Sequence, residues 1–317
     1  MKLINSFLLL IFFSISTFAI SPYYRLIASG GVYDFIIEDN LLYAATDAGI
    51  VDIFNYKTKK RIGKIKIPKI NNFAGELISP KIFSIDKIKG KDGIILTVQG
   101  GGGYRDIYFY KNMNLQKILS QEDKLMAKRT SFINEDLILI GLLSNELLLY
   151  NIKLHKQIYR EQLSTSVFSN FTTDVTRKLV ITCEESGCIR LLNSQTGQII
   201  KVFSGQNVDN IYKVCYNKMT FVGAGQDRRV SVYKWGKKSY YLKADFLVYC
   251  VGLDRAGKFA AFPANEENDI YVFDTDTRHI LYKLIGQKST LTKIEFLPNN
   301  EMVSSSEDNN IIIWKLK

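Results

Sequence analysis

Seven short β-like runs recur along this chain at a nearly fixed interval, and that interval restricts the fold more than any other feature. The runs are IVDIFN (50–55), DIYFYK (106–111), ELLLYN (146–151), CIRLLN (188–193), RVSVYK (229–234), DIYVFD (269–274) and IIIWKL (311–316). Each carries an aromatic or apolar residue followed by a polar one, at Asn55, Lys111, Asn151, Asn193, Lys234, Asp274 and Lys315. The intervals between these positions are 56, 40, 42, 41, 40 and 41 residues. Around each run the same grammar repeats: a first apolar run such as IYKVCY, a turn, a second such as MTFVGA, a polar turn, the run named above, and a fourth such as SYYLKA. Four short strands per unit of this length predict one β-propeller blade each. The seventh unit lacks its fourth strand, while YYRLIAS (23–29) is a strand-like run without a unit. The expected fold is therefore all-β, a seven-bladed propeller over residues 20–317 in which an N-terminal strand closes the last blade and removes the open sheet edges.

The segment GAGQDRRVSVYKWG (223–236) looks at first like a phosphate-binding loop, but its residues recur within the repeat. Gly205-Gln206, Asp227 and Tyr233-Lys234 reappear 81 residues later as Gly286-Gln287, Asp308 and Trp314-Lys315. In this pattern the chain resembles the WD-repeat family, where a Gly-His precedes the first strand, an Asp sits in the turn before the third, and Trp-Asp ends that strand. Here Gly-Gln replaces Gly-His, and only Phe273-Asp274 keeps the terminal Asp. The resemblance implies a scaffold role for Gly205, Gly286, Asp227 and Asp308. No GxxxxGK[ST] is present, so there is no P-loop. Arg228 and Arg229 differ from their counterparts Asn309 and Asn310 and are left for function.

The N-terminus predicts export. Lys2, the apolar run Phe7–Phe13, and the small residues Thr17 and Ala19 fit a signal peptide over residues 1–19, cleaved after Ala19; an uncleaved anchor is the other reading. An exported protein of this kind is expected in the periplasm, without an integral membrane span and as a monomer. Four cysteines suit an oxidising compartment. Cys183 and Cys188 bracket the hairpin tip EESG, so a local disulfide is expected there. Cys215 and Cys250 are either a second bridge or buried thiols. The formal charge of +11 favours acidic partners, but the positive residues are scattered, and no continuous basic strip with stacking aromatics points to nucleic acid.

Function is expected where the chain departs from its own repeat. The enlarged unit contains PKINNFAGELISPK (68–81) and QGGGGYRD (99–106), both on the face that carries the turns between second and third strands. Tyr104 and Arg105 there are residue types common at interface hot spots. Arg228, Arg229, Glu184 and Glu185, with Asp47, Asn145, Asn268 and Asp308, complete the expected rim. Catalysis has little support. His155 and His279 lie three blades apart, and there is no GxSxG, no CxxC and no CxxCH. Asp174, Asp254 and Asn217 are the acid and amide groups a metal-dependent propeller hydrolase would use, but such residues also suit turns.

A narrower resemblance rests on NVDNIYKV, GAGQDRRVSVY and DFLVYCVGL. These strings, behind a signal peptide and on a degenerate WD-repeat body, are similar to the NapL family of accessory proteins encoded with periplasmic nitrate reductase. That resemblance implies a non-catalytic accessory role without a cofactor, with periplasmic nitrate reductase components as partners, in assembly, maturation or electron supply. The alternatives are a general envelope-assembly platform and the metal-dependent hydrolase.

Overall fold

The computed structural model describes residues 18–317, and these form seven blades of four antiparallel strands around one axis, the sixth extended by a fifth, parallel strand. The strands nearest the axis, here strands a, are Val32–Glu38, Ile82–Lys87, Ala127–Phe132, Phe168–Thr173, Ile211–Asn217, Gly252–Leu253 and Leu291–Leu297. Strands c are Ile50–Asn55, Arg105–Lys111, Glu146–Asn151, Ile189–Asn193, Arg229–Lys234, Ile270–Asp274 and Asn310–Lys315, each within a residue of the seven runs that carry the repeat. Among the described residues, helix is limited to two 3₁₀ turns, Gly101–Gly103 and Gln121–Asp123. Among the described residues, no helix is long and apolar enough to cross a membrane.

The core follows from this plan. A blade is too thin to bury its own faces, so apolar residues must meet those of the next blade. Seven apolar clusters result, one between each neighbouring pair, including the pair that joins blade seven to blade one. That last cluster combines Leu26, Val303, Ile311 and Ile313 with Val32, Phe35, Leu42 and Phe54. Tyr24–Ile27 is the outer strand of blade seven, antiparallel to Asn310–Lys315, with Tyr24 opposite Ile313 and Ile27 opposite Asn310. The N-terminal closure expected from residues 23–29 is present. Gly31 permits the join, because a Cβ there would lie 2.2 Å from the Glu307 carbonyl oxygen.

One strand has no counterpart in the sequence reading. Phe18–Ile20 adds in parallel to the outer strand of blade six, Ile280–Leu284, and Ile20 is buried against Leu284, Leu291 and Trp314. It straddles the expected cleavage point after Ala19; the rest of the expected signal peptide, residues 1–17, lies outside the described residues.

The expected Cys183–Cys188 disulfide is not formed, and all four cysteines are free. The strand register explains why. Cys183 pairs with Ile189, so Cys188 is one residue out of step, and a one-residue offset directs side chains to opposite faces. Cys183 instead packs among Ile181, Ile189, Ile211 and Phe221, where burial raises its thiol far above the ordinary range. Burial likewise pushes Cys215 up to about 11 and Cys250 up to about 12. The Cys215 thiol donates to the Val251 carbonyl at 3.1 Å.

Candidate functional site

The strands nearest the axis share an irregularity that builds the site. In six blades the pairing of strand a with the next strand skips one residue near the start of strand a. The skipped residues are Tyr33, Phe83, Lys128, Ser169, Tyr212 and Thr292. A β-bulge leaves its extra residue unpaired and re-aims the side chain. All six line one cavity of about 380 Å³ at the mouth of the central channel, and Tyr249 in the link before strand a of blade six completes the ring. The next residue along gives a second, deeper ring that includes Asp34, Arg129, Lys213 and Lys293.

That deeper ring is crowded with charge. Asp34 lies 3.0 Å from the Arg129 guanidinium and 3.1 Å from the Lys293 ammonium, and accepts the Ile85 N–H at 3.3 Å. Burial pushes the Asp34 carboxyl up, but Lys293, Arg129 and Lys213 outweigh it and hold it at about 2. Burial also works against Lys293, yet Asp34 and Glu295 raise its affinity for the proton overall. Lys213 differs. It donates to the Thr292 carbonyl and has no carboxylate within ion-pair distance among the described residues, so burial lowers its ammonium pKa despite the more distant Asp34.

The rim is aromatic and cationic. Tyr212 and Tyr249 stack with centroids 5.2 Å apart and planes 25° from parallel. Tyr33 meets Phe83 edge to face at 6.0 Å. The Arg105 guanidinium lies 4.3 Å from the Phe83 ring centre and donates to the carbonyls of Gly103 and Tyr104. Burial lowers the pKa of Arg105 and of Lys128, and Arg105 lowers Lys128 further. Arrays of rings and cations bind acidic or polar chains. Among the described residues, no group of three or more His, Cys, Asp and Glu is placed to hold a metal.

The structure divides the residues singled out from sequence. Arg105 lines the mouth. Tyr104 is beside it, partly buried, on a glycine turn that is packed rather than loose: Gly101 donates to the Gln121 side chain at 2.7 Å, and a Cβ at Gly101 would meet that oxygen at 2.1 Å. Arg228 and Glu185 are exposed on the same rim. Glu184 is not part of it. It is buried, accepting from Asn145, Ser164 and Ser186 and paired with Arg190, so it clasps blade three to blade four. Asn145, also expected on the rim, is buried as its partner. Arg229 turns outward to Tyr241, 4.4 Å from its ring centre, and donates to the Gln206 carbonyl.

Asp227 and Asp308 fix their turns. Asp227 accepts from Asn207, the Val208 N–H and the Arg229 N–H; Asp308 accepts from Ser306, the Asn310 N–H and the Asn310 side chain. Gly205 and Gly286 adopt positive φ, 89° and 143°. Asp174 and Asp254 accept backbone N–H groups of their own turns, and Asn217 donates to the Leu253 carbonyl. His155 and His279 lie in or beside turns at the outer strands of blades three and six. The 68–81 insertion forms a small hairpin, Ile70–Asn71 with Leu77–Ile78, whose tip exposes Phe73.

In blade seven the side-chain network runs unbroken. Trp314 donates to Ser304 at 2.8 Å, Ser304 to the Gln287 oxygen at 2.8 Å, Gln287 to Ser306, and Ser306 to Asp308 at 2.6 Å. Gln287 thus accepts at one end of its amide and donates at the other, where the repeat family has a histidine.

Comparison with known proteins agrees with this geometry. The model of the WD domain, G-beta repeat, matches residues 278–315, which contain that network. The WD repeat domain-containing protein 83 homolog of Dictyostelium discoideum is 24% identical over 150 residues, covering 44% of this chain and 44% of that protein. The chain therefore spans less than half the length of the curated relative it matches. The β-propeller domain of Myceliophteria thermophila Cps50 (Swd1) superposes with a TM-score of 0.74 over 93% of this chain and 99% of that one, at 12% identity, which speaks for the fold alone. The chain is a seven-bladed β-propeller that carries a WD repeat in its last blade.

Proposed function

We propose that the protein is a non-catalytic propeller scaffold of the periplasm that presents its channel mouth to another exported protein. The observation that carries this reading is the ring of bulged residues, which gathers side chains from six blades, with Tyr249 from the link into the remaining one, at one opening instead of packing them into blades. Within it we assign an accessory role for periplasmic nitrate reductase, in assembly, maturation or electron supply. The support for that narrower role is the likeness of NVDNIYKV, GAGQDRRVSVY and DFLVYCVGL to NapL. The test is nitrate reductase activity per reductase molecule in cells with and without the gene. A loss restored by the exported chain, and not by the chain lacking residues 1–19, is the expected result. Unchanged activity at normal reductase abundance overturns the nitrate reductase assignment and leaves the envelope-assembly platform.

A further inference from the structure

We propose that the channel mouth receives an extended acidic segment of its partner, whose carboxylates pair with Arg105, Lys128 and Lys213 between the aromatic walls. This rests on the reading of the mouth as the docking site and adds the chemistry of the occupant.

Charge balance points to it. Arg105, Lys128, Arg129 and Lys213 all line the cavity, and Glu307 is the one carboxylate that lines it with them. Asp34 serves Arg129 and Lys293 from below. Among the described residues, Lys128, Lys213 and Arg105 have no carboxylate at ion-pair distance, and the Arg129 Nε is buried without a hydrogen-bond partner. Arg105, Arg129 and Lys213 are half-buried and Lys128 is exposed beside them; cations held this close repel one another, and the half-buried ones lose hydration. A carboxylate between them relieves both costs and gains charge-assisted hydrogen bonds.

Geometry favours a chain over a single small anion. The three unpaired cations stand on three different blades, two, three and five, around one opening. A segment with carboxylates at intervals reaches all three while its apolar atoms meet Phe83 and the Tyr212–Tyr249 stack. The surrounding rim argues against nucleic acid. Glu185 and Glu307 are exposed on it and Asp47 lies close by, so a phosphodiester backbone entering the mouth must pass acids.

The test is fluorescence anisotropy of the purified protein with a fluorescein-labelled peptide of alternating Glu and Gly, its Gln counterpart and an oligothymidylate. The Glu peptide is expected to bind and weaken steeply with added salt, while the Gln peptide does not bind. Arg105→Gln with Lys128→Gln is expected to weaken binding by on the order of tenfold or more. Lys153→Gln, on a turn at the opposite face, is expected to leave it unchanged. Circular dichroism and an unaltered melting temperature show that the variants fold. Three results overturn the proposal: equal binding of the Glu and Gln peptides, binding of the Glu peptide that the double variant retains, and tighter binding of the oligothymidylate. If no peptide binds yet a partner cross-links to the mouth, the acidic occupant is wrong and the docking reading stands.

Discussion

Asp34→Asn is expected to lower the unfolding free energy by about 3–5 kcal/mol, the usual cost of removing one member of a buried charge group. Asp34 is 1% exposed and, among the described residues, has the only carboxylate that touches both Arg129 and Lys293, which come from blades three and seven. Asn keeps the shape and one acceptor but leaves two cations facing each other across the channel. Urea unfolding at neutral pH measures the loss.

A pH series separates charge from packing. The Asp34 carboxyl sits at about 2 in the folded protein against an ordinary value of 3.8. Its contribution is therefore complete above about pH 4 and is lost as pH falls through about 2, amounting to about 2 kcal/mol. Glu295 acts in the opposite sense, since burial pushes its carboxyl up despite Lys293, and both proteins carry it. The gap between wild type and Asp34→Asn should narrow by about 2 kcal/mol toward pH 2. A gap that stays constant with pH means the loss is packing and the ionic account of the channel is wrong.

Trp314→Ala is expected to cost about 3–5 kcal/mol. Trp314 is fully buried, and with Ile20, Ile270, Leu284 and Met302 it fills the interface between blades six and seven. Its loss also leaves the Ser304–Gln287–Ser306–Asp308 chain without its first donor. Trp314→Phe retains most of the apolar contact and removes only the indole N–H, so about 1–2 kcal/mol is expected. Equal losses for Phe and Ala by urea unfolding contradict the division between packing and hydrogen bonding. The ring geometry raises the stakes for this interface, since blade seven is where the two ends of the chain are joined.

The blade count and the closure were legible because strand c repeats its apolar-polar ending at a constant interval. The site was legible only in part. The turns that lead into strands c hold Arg105 at or beside them, but also Glu184 and Asn145, whose polar groups bond across blades rather than to water. Arg229 looked free for the same reason, although an adjacent outer strand offered Tyr241. The residues that build the mouth were missed because a bulge is a property of strand pairing, and a single strand does not display it. A signal does exist. Aligning the units at strand a places Tyr33, Phe83, Lys128, Ser169, Tyr212, Tyr249 and Thr292 in one column, with Asp34, Arg129, Lys213 and Lys293 in the next. The parallel strand Phe18–Ile20 had no such signal, since it is not part of the repeat, and the disulfide failed because hairpin proximity does not fix register.

Site-specific photocross-linking in living cells tests the mouth as the docking site. A benzophenone amino acid replaces Tyr249, in the ring, or Met113, 89% exposed on an outer turn of the opposite face. The expected result is one discrete adduct from position 249 that identifies an exported partner and disappears when Arg105 and Lys128 are neutralised, with none from position 113. Adducts that form from position 113 alone would contradict the assignment of the channel mouth.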